Sequence, residues 1–265
     1  AEELSLPVMV CMDGFILTHA VERIELPDPA AVDAFLPPYE PRQVLDVEDP
    51  VSIGAMVGPE AFTEVRYLAH AKQLQALDLI PAVAQEFEER FGRASGGLIH
   101  PYRCEDAQTV VVALGSVLGT VQDVVDERRA DGERIGALGI GCYRPFPLAR
   151  IREALAGATT VIVLEKALAV GIGGIVSGEV ELALSGLAPQ TRTVVAGLGG
   201  RPITRRSLHA MLQESKNGLL PPLTFLDLDR QLVERELSRQ ADRRRSGPQA
   251  ENILRDVNAQ VTGPA

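Results

Sequence analysis

Four short apolar runs, at residues 109–114, 135–140, 160–164 and 193–197, alternate with segments of helical periodicity. None is long enough for a helix, and none alternates between apolar and polar positions, so each reads as a strand covered on both faces. Between them, residues 117–130 place Val121, Val124 and Val125 on one helical face, with Asp131-Gly132 as a stop. Residues 147–155 form a short helix opened by Pro145-Phe146-Pro147, and residues 175–184 form another after a glycine-rich loop. A βαβαβαβ order with loops this short predicts one parallel sheet flanked by helices on both faces, joined by right-handed crossovers. Thr204 is placed to N-cap a further helix.

Composition agrees with this α/β reading. Hydrophobic residues make up 46% of the 265, aromatics 4%, and Trp is absent, so the core is aliphatic. The net charge of −10 argues against nucleic acid as a partner, because that binding needs a clustered basic surface. No apolar run reaches the roughly 18–20 residues that span a bilayer, so no membrane helix is expected. Cys11, Cys104 and Cys142 are odd in number, far apart and never in a CxxC. They read as buried or half-buried thiols in a reducing cytoplasm, not as a disulfide framework or a metal site.

Upstream of the alternating region the pattern is different. Residues 1–4 read as the last turn of a helix and residues 6–12 as a buried strand closed by Asp13-Gly14, so further chain is expected to precede Ala1. Pro27, Pro29, Pro37, Pro38 and Pro41 mark an extended connector over a surface. Residues 59–91 are helical, with Leu68, Leu74, Leu77, Ile80, Val83, Ala84, Phe87 and Phe91 recurring mostly at spacings of three and four. Pro81 is expected to kink or split that helix, and Gly92 to end it. Residues 219–222 read as a hinge, 227–245 as a charged helix and 246–265 as mobile. From Asp227 onward seven Arg balance seven Asp or Glu, so the charge belongs to the body of the chain.

Chemistry-bearing positions cluster at strand ends. The Gly115-Ser116 corner follows a strand and opens a helix. Such a place either binds phosphate through free amides or is a tight turn; it has neither the P-loop lysine nor a GxGxxG spacing. Gly171-Ile172-Gly173-Gly174 lies similarly, as a phosphate loop or as a helix start packed closely on a neighbouring domain. Asp13, Gly14 and Phe15, followed by Thr18 and His19, sit beyond a strand end, where ligands approach α/β sheets; the alternative is an Asx-type turn with Phe15 as a packing anchor. Arg144, flanked by Tyr143 and Phe146, suits a carboxylate partner, a subunit contact or a plain turn. No GxSxG elbow is present, and no His lies within four residues of another, so nucleophilic hydrolysis and metal ligation by this chain are not expected.

Taken in order, Pro7-Val8-Met9-Val10-Cys11-Met12-Asp13-Gly14-Phe15, Phe35-Leu36-Pro37-Pro38-Tyr39, Gly115-Ser116, Tyr143-Arg144-Pro145-Phe146-Pro147 and Ala196-Gly197-Leu198-Gly199-Gly200-Arg201 resemble the alpha subunit of the 2-oxoacid:ferredoxin oxidoreductases, of which pyruvate synthase is the best known. The resemblance covers about residues 1–210. It implies oxidative decarboxylation of a 2-oxoacid with coenzyme A to acyl-CoA and CO2, electrons passing to ferredoxin. It implies thiamine diphosphate, Mg and [4Fe-4S] clusters in the assembled complex, none bound fully by this chain.

The implied layout has residues 1–35 as the end of a pyrimidine-binding domain and residues 36–106 as a connector with a helical segment. Residues 107–200 become a transketolase C-terminal-like domain, and residues 201–265 a C-terminal helix and charged tail. By the same resemblance the catalytic Glu that activates the aminopyrimidine lies upstream of Ala1. Asp13, Gly14, Phe15, His19, Gly115, Ser116 and Arg144 are then positions near the site or at an interface, with no catalytic residue and no metal ligand in this chain. The implied partners are a thiamine diphosphate-binding beta subunit, a gamma subunit and a ferredoxin-like delta subunit. Three cysteines cannot make a cluster that needs four thiolates. The tail after Pro221 departs from the pyruvate enzyme. It leaves open an aryl 2-oxoacid such as phenylglyoxylate with an NAD-linked acceptor. A transketolase-like or branched-chain dehydrogenase subunit, or a nucleotide-binding module, are the other readings.

Overall fold

The computed structural model describes residues 1–14, 16–36, 38–54, 56–241 and 249–261. They divide into two units, residues 1–224 and 225–265.

The first unit is built on strands β1 (Ile99–Tyr102), β2 (Thr109–Ala113), β3 (Ile135–Ile140), β4 (Thr160–Glu165) and β5 (Gln190–Val195), with β6 (Leu223–Phe225) completing the sheet. Their order is β1-β3-β2-β4-β5-β6. The β3-β2, β2-β4 and β4-β5 pairs are parallel, as expected, with Val111 opposite Ala137 on one side and Ile162 on the other. Helices α4 (Val117–Ala130), α5 (Leu148–Leu155) and α6 (Val176–Leu184) make the crossovers, within a residue or two of the expected bounds.

Side chains alternate between sheet faces. Val110, Val112, Leu138, Val161 and Val163 pack with Ile151 and Leu155 of α5 and Val180 of α6. The opposite face carries Val111, Ala137 and Ile162, all but inaccessible. There α4 presents Val121, Val124 and Val125 and pairs with α7 (Arg205–Lys216). The crossovers change face where the strand order changes direction, as right-handed connections require. Thr204 caps α7, its Oγ1 accepting from Ser207 N at 3.1 Å. Arg128 fastens α7 to α4, donating to the His209 carbonyl at 2.6 Å and pairing with Glu133 at 3.0 Å.

Several expectations are corrected. β1 was not foreseen: it pairs antiparallel with β3, and its Pro101 is tolerable because the strand lies at the sheet edge. The segment read as a hinge leads straight into β6, and Pro222 O accepts from Thr193 N at 2.8 Å. Residues 6–12 form no strand. Val8, Met9 and Val10 are 63%, 89% and 88% exposed, and Cys11 is an exposed thiol rather than a buried one. All six strands come from Ile99 onward, and among the described residues none of them pairs with this run. Residues 2–5 are a turn, not the end of a helix.

The connector holds a short helix α2 (Pro29–Phe35), with Pro29 in its first turn and Asp28 capping Ala30 N and Ala31 N. Phe35 sits edge-on to Phe87 and Phe91 of α3 (Phe62–Phe91), at 5.8 and 5.6 Å between centroids. Helix α3 runs unbroken through Pro81 and ends at Gly92 in the left-handed conformation. The first element, α1 (Ile16–His19), is a single turn.

The second unit is a pair of helices, α8 (Arg230–Ala241) and α9 (Gln249–Val261). Much of the stretch read as mobile is therefore helical. Arg239 bridges the pair, meeting Glu236 on its own helix and Asp256 on the other at 3.2 Å.

Candidate functional site

The sheet topology designates one place for chemistry. In an open α/β sheet the crevice beyond the carboxyl ends lies where strand order reverses, here between β2 and β4. Gly115 and Ser116 follow β2; Glu165 ends β4, with Lys166 next.

Glu165 and Lys166 turn to different tasks. Glu165 is 3% exposed, and its carboxylate accepts from Ile175 N and Val176 N at 2.8 Å and Ser177 N at 2.9 Å. It thus caps α6 from a strand ten residues upstream and satisfies three amides the helix leaves open. A Cβ on Gly174 would lie 2.1 Å from Glu165 Oε1 and 2.7 Å from Thr193 Cγ2, so this glycine exists for close approach. Gly174, at the end of the Gly171–Gly174 loop, thus packs on β4 and β5, the three amides after it are taken by Glu165, and Ile172 N and Gly173 N donate to the Ala169 carbonyl.

Lys166 reaches Asp13, with Nζ 3.1 Å from Oδ1. The other oxygen of Asp13 accepts from Ser116 N at 2.7 Å and from the Ser116 hydroxyl. The corner singled out as a phosphate loop or a tight turn thus receives a carboxylate of its own chain, 103 residues away. Gly115 has φ +75°, and a Cβ there would stand 3.0–3.1 Å from the Asp13 oxygens; both the turn and the approach require glycine. The Ser116 hydroxyl is the largest influence on Asp13. With the amide and Lys166 it outweighs burial and holds the carboxyl below its ordinary range.

The structure therefore brings together Asp13, Gly115 and Ser116 of the expected positions. Gly14 follows with open space around it and no positive φ, and the Asx-type turn expected at Asp13 involves Phe15. Phe15 lies outside the described residues. His19 ends α1 with Nδ1 3.2 Å from Thr18 Oγ1. Arg144 stacks on Tyr143 at 4.1 Å and pairs with Glu179 of α6, which raises its pKa and links the β3–α5 loop to α6. Lys166 and Glu165 were passed over in the sequence. Their signal was a charged pair directly after a wholly apolar strand, where a strand end meets the crevice.

Cys104 and Cys142 are half-buried, and burial pushes both thiols up, away from the reactive thiolate.

Two family profiles match the chain. Residues 1–85 match the thiamine diphosphate-binding domain of pyruvate flavodoxin/ferredoxin oxidoreductases, and residues 107–208 match core domain II of pyruvate:ferredoxin oxidoreductase. The pyruvate synthase subunit PorA of Methanosarcina barkeri is 41% identical over 238 residues, 87% of this chain and 59% of that protein. The PorA of Thermotoga maritima is 38% identical over 226 residues, covering 83% and 56%. The ketoisovalerate oxidoreductase subunit VorA of Pyrococcus horikoshii is 34% identical over 219, covering 82% and 56%. The chain thus spans somewhat over half the length of these relatives.

The described residues do not fit a whole thiamine diphosphate site. No group of three or more His, Cys, Asp or Glu among them could hold a metal ion, and the anion-accepting corner is filled by Asp13. Two adjoining profiles of one enzyme family, in order along the chain, and relatives above 30% identity across four-fifths of it lead to one conclusion: the chain belongs to the alpha-subunit family of the 2-oxoacid:ferredoxin oxidoreductases.

Proposed function

We propose that this chain acts as alpha-subunit sequence in a thiamine diphosphate-dependent enzyme that converts a 2-oxoacid and coenzyme A to acyl-CoA and CO2, reducing ferredoxin. The 41% identity to a pyruvate synthase PorA across 87% of the chain carries this reading and makes pyruvate the first substrate to test. Nothing in the relatives' names points to an aryl 2-oxoacid or a lipoamide-linked dehydrogenase, so those readings are set aside.

In this proposal the α/β domain is scaffold that docks a beta subunit. The thiamine diphosphate, its Mg and the [4Fe-4S] clusters are completed by beta, gamma and ferredoxin-like delta subunits. The aliphatic core and the Glu165 and Arg128 networks support a rigid scaffold. The domain layout of residues 1–35, 36–106, 107–200 and 201–265 is proposed with one change: α7 is included in the scaffold because Arg128 holds it to α4. A cytoplasmic setting is proposed from three free thiols; among the described residues no helix is long and apolar enough to cross a membrane.

The test is co-purification of the full-length subunit with its partners, followed by pyruvate- and coenzyme A-dependent reduction of ferredoxin. Isolation of the full-length protein alone, without thiamine or iron, defeats the proposal.

A further inference from the structure

Asp13 is the point where the part of the chain matched by the thiamine-domain profile grips the part matched by the core-domain profile. Its carboxylate gathers a backbone amide, a hydroxyl and an ammonium from the ends of two neighbouring strands, β2 and β4. Bonds of this kind, with one partner ionised, are shorter and stronger than neutral ones. The corner is shaped for it, since any side chain at Gly115 would crowd the carboxylate. The neighbouring residues contribute little: Val8, Met9, Val10 and Met12 are exposed, and Gly14 stands in open space. Other side-chain hydrogen bonds among the described residues tie Ser5 to Tyr39, Glu3 to Arg42 and Glu25 to Arg93, in the connector and just after α3.

We propose that Asp13 is a positioning residue: by gripping Ser116 and Lys166 at the switch point of the sheet, it fixes where residues 8–19 stand relative to the α/β domain, and the assembled enzyme depends on that placement for turnover. The inference rests on the 2-oxoacid oxidoreductase reading for its kinetic consequence and on the geometry alone for the clamp. In this role Asp13 acts through the segment it holds. The Ser116 amide reports the clamp directly, because it donates to Asp13 and exchanges faster when that bond is lost.

The experiment uses the full-length subunit in its complex, as wild type, Asp13→Asn and Gly115→Ala. The second variant displaces the carboxylate while leaving its charge. Hydrogen exchange is followed on the peptide containing Ser116, together with protease sensitivity of residues 8–25 and the separate kcat and KM for the 2-oxoacid. Both variants are expected to speed Ser116 exchange on the order of 10-fold, as loss of one charge-assisted bond at a partly exposed site does. They are expected to expose residues 8–25 to protease and to lower kcat/KM by a similar factor. Unchanged exchange in both variants overturns the clamp. Faster exchange with wild-type kcat and KM reduces the clamp to a structural tie and overturns the positioning role. A wild-type complex that turns over no 2-oxoacid overturns the functional reading, and the positioning role with it, while the exchange data still report the clamp.

Discussion

Residues 8–12 and residues 161–164 are both short apolar runs, Val-Met-Val-Cys-Met in one and Val-Ile-Val-Leu in the other. The second lies in the middle of a parallel sheet with almost no accessible surface; the first is extended and exposed. Local propensity does not separate them. What separates them is the company: β4 has β2 on one side and β5 on the other, with α6 packed over it. An apolar run becomes a strand when neighbouring backbones take its amides and carbonyls, and burial follows from that pairing.

The sharpest way to probe the contrast is inside the sheet. Leu138→Ala removes a fully buried side chain of β3, so a loss of about 3–5 kcal/mol is expected in urea denaturation. A loss below about 1 kcal/mol would mean that this core is as loosely held as the exposed run. Next, Glu165→Ala strips the cap from α6 and leaves three buried or half-buried amides without their acceptor, which is expected to cost about 2–3 kcal/mol. Gly174 is packed against that carboxylate, so local exchange at Ile175, Val176 and Ser177 is the measurement that separates cap loss from general loosening. Arg128→Met follows, at about 2 kcal/mol, because Glu133 is mostly buried and still has Lys216 at 2.8 Å to share its charge.

The Asp13 clamp bridges the two regions and predicts a pH effect of defined sign. The carboxyl is held below its ordinary pKa by Ser116 and Lys166, so the clamp is fully made above the unfolded value and is lost as pH falls through the lowered folded one. Protease sensitivity of residues 8–25 should therefore be flat near neutrality and rise only in acid, below the usual carboxylate range. A rise centred near pH 6–7 would point to a histidine instead. The smallest effect is expected in the exposed run itself, where Val10→Ser should shift stability within about 0.5 kcal/mol. A larger loss would show that residues 8–12 are buried in solution.

Much of the scaffold could be read directly from residue order. The β2–α4–β3–α5–β4–α6–β5 alternation, the Thr204 cap and the Gly92 stop were visible because periodicity and caps are local properties. The edge strand β1 was hidden by Pro101, whose cost vanishes at an edge, and β6 by its three-residue length and preceding prolines. At the site, Gly115 and Ser116 could be nominated from their place after a strand, and Asp13 from its place after an apolar run. That the two meet could not be read, because nothing local couples positions 103 residues apart. Lys166 was passed over, since its partner is chosen by how β4 lies beside β2.

The sequence by itself determined that residues 107–200 make an aliphatic parallel sheet, because those runs carry their own periodicity, turns and apolar content. It also carried the ordered motifs that place the chain in its family. Tertiary structure alone decided that the same kind of apolar run stays exposed at residues 8–12, that Glu165 caps a helix it does not adjoin, and that the Gly115-Ser116 corner holds the carboxylate of Asp13. Each of these depends on which strand ends and segments become neighbours, and neighbourhood is set by sheet order rather than by chain order.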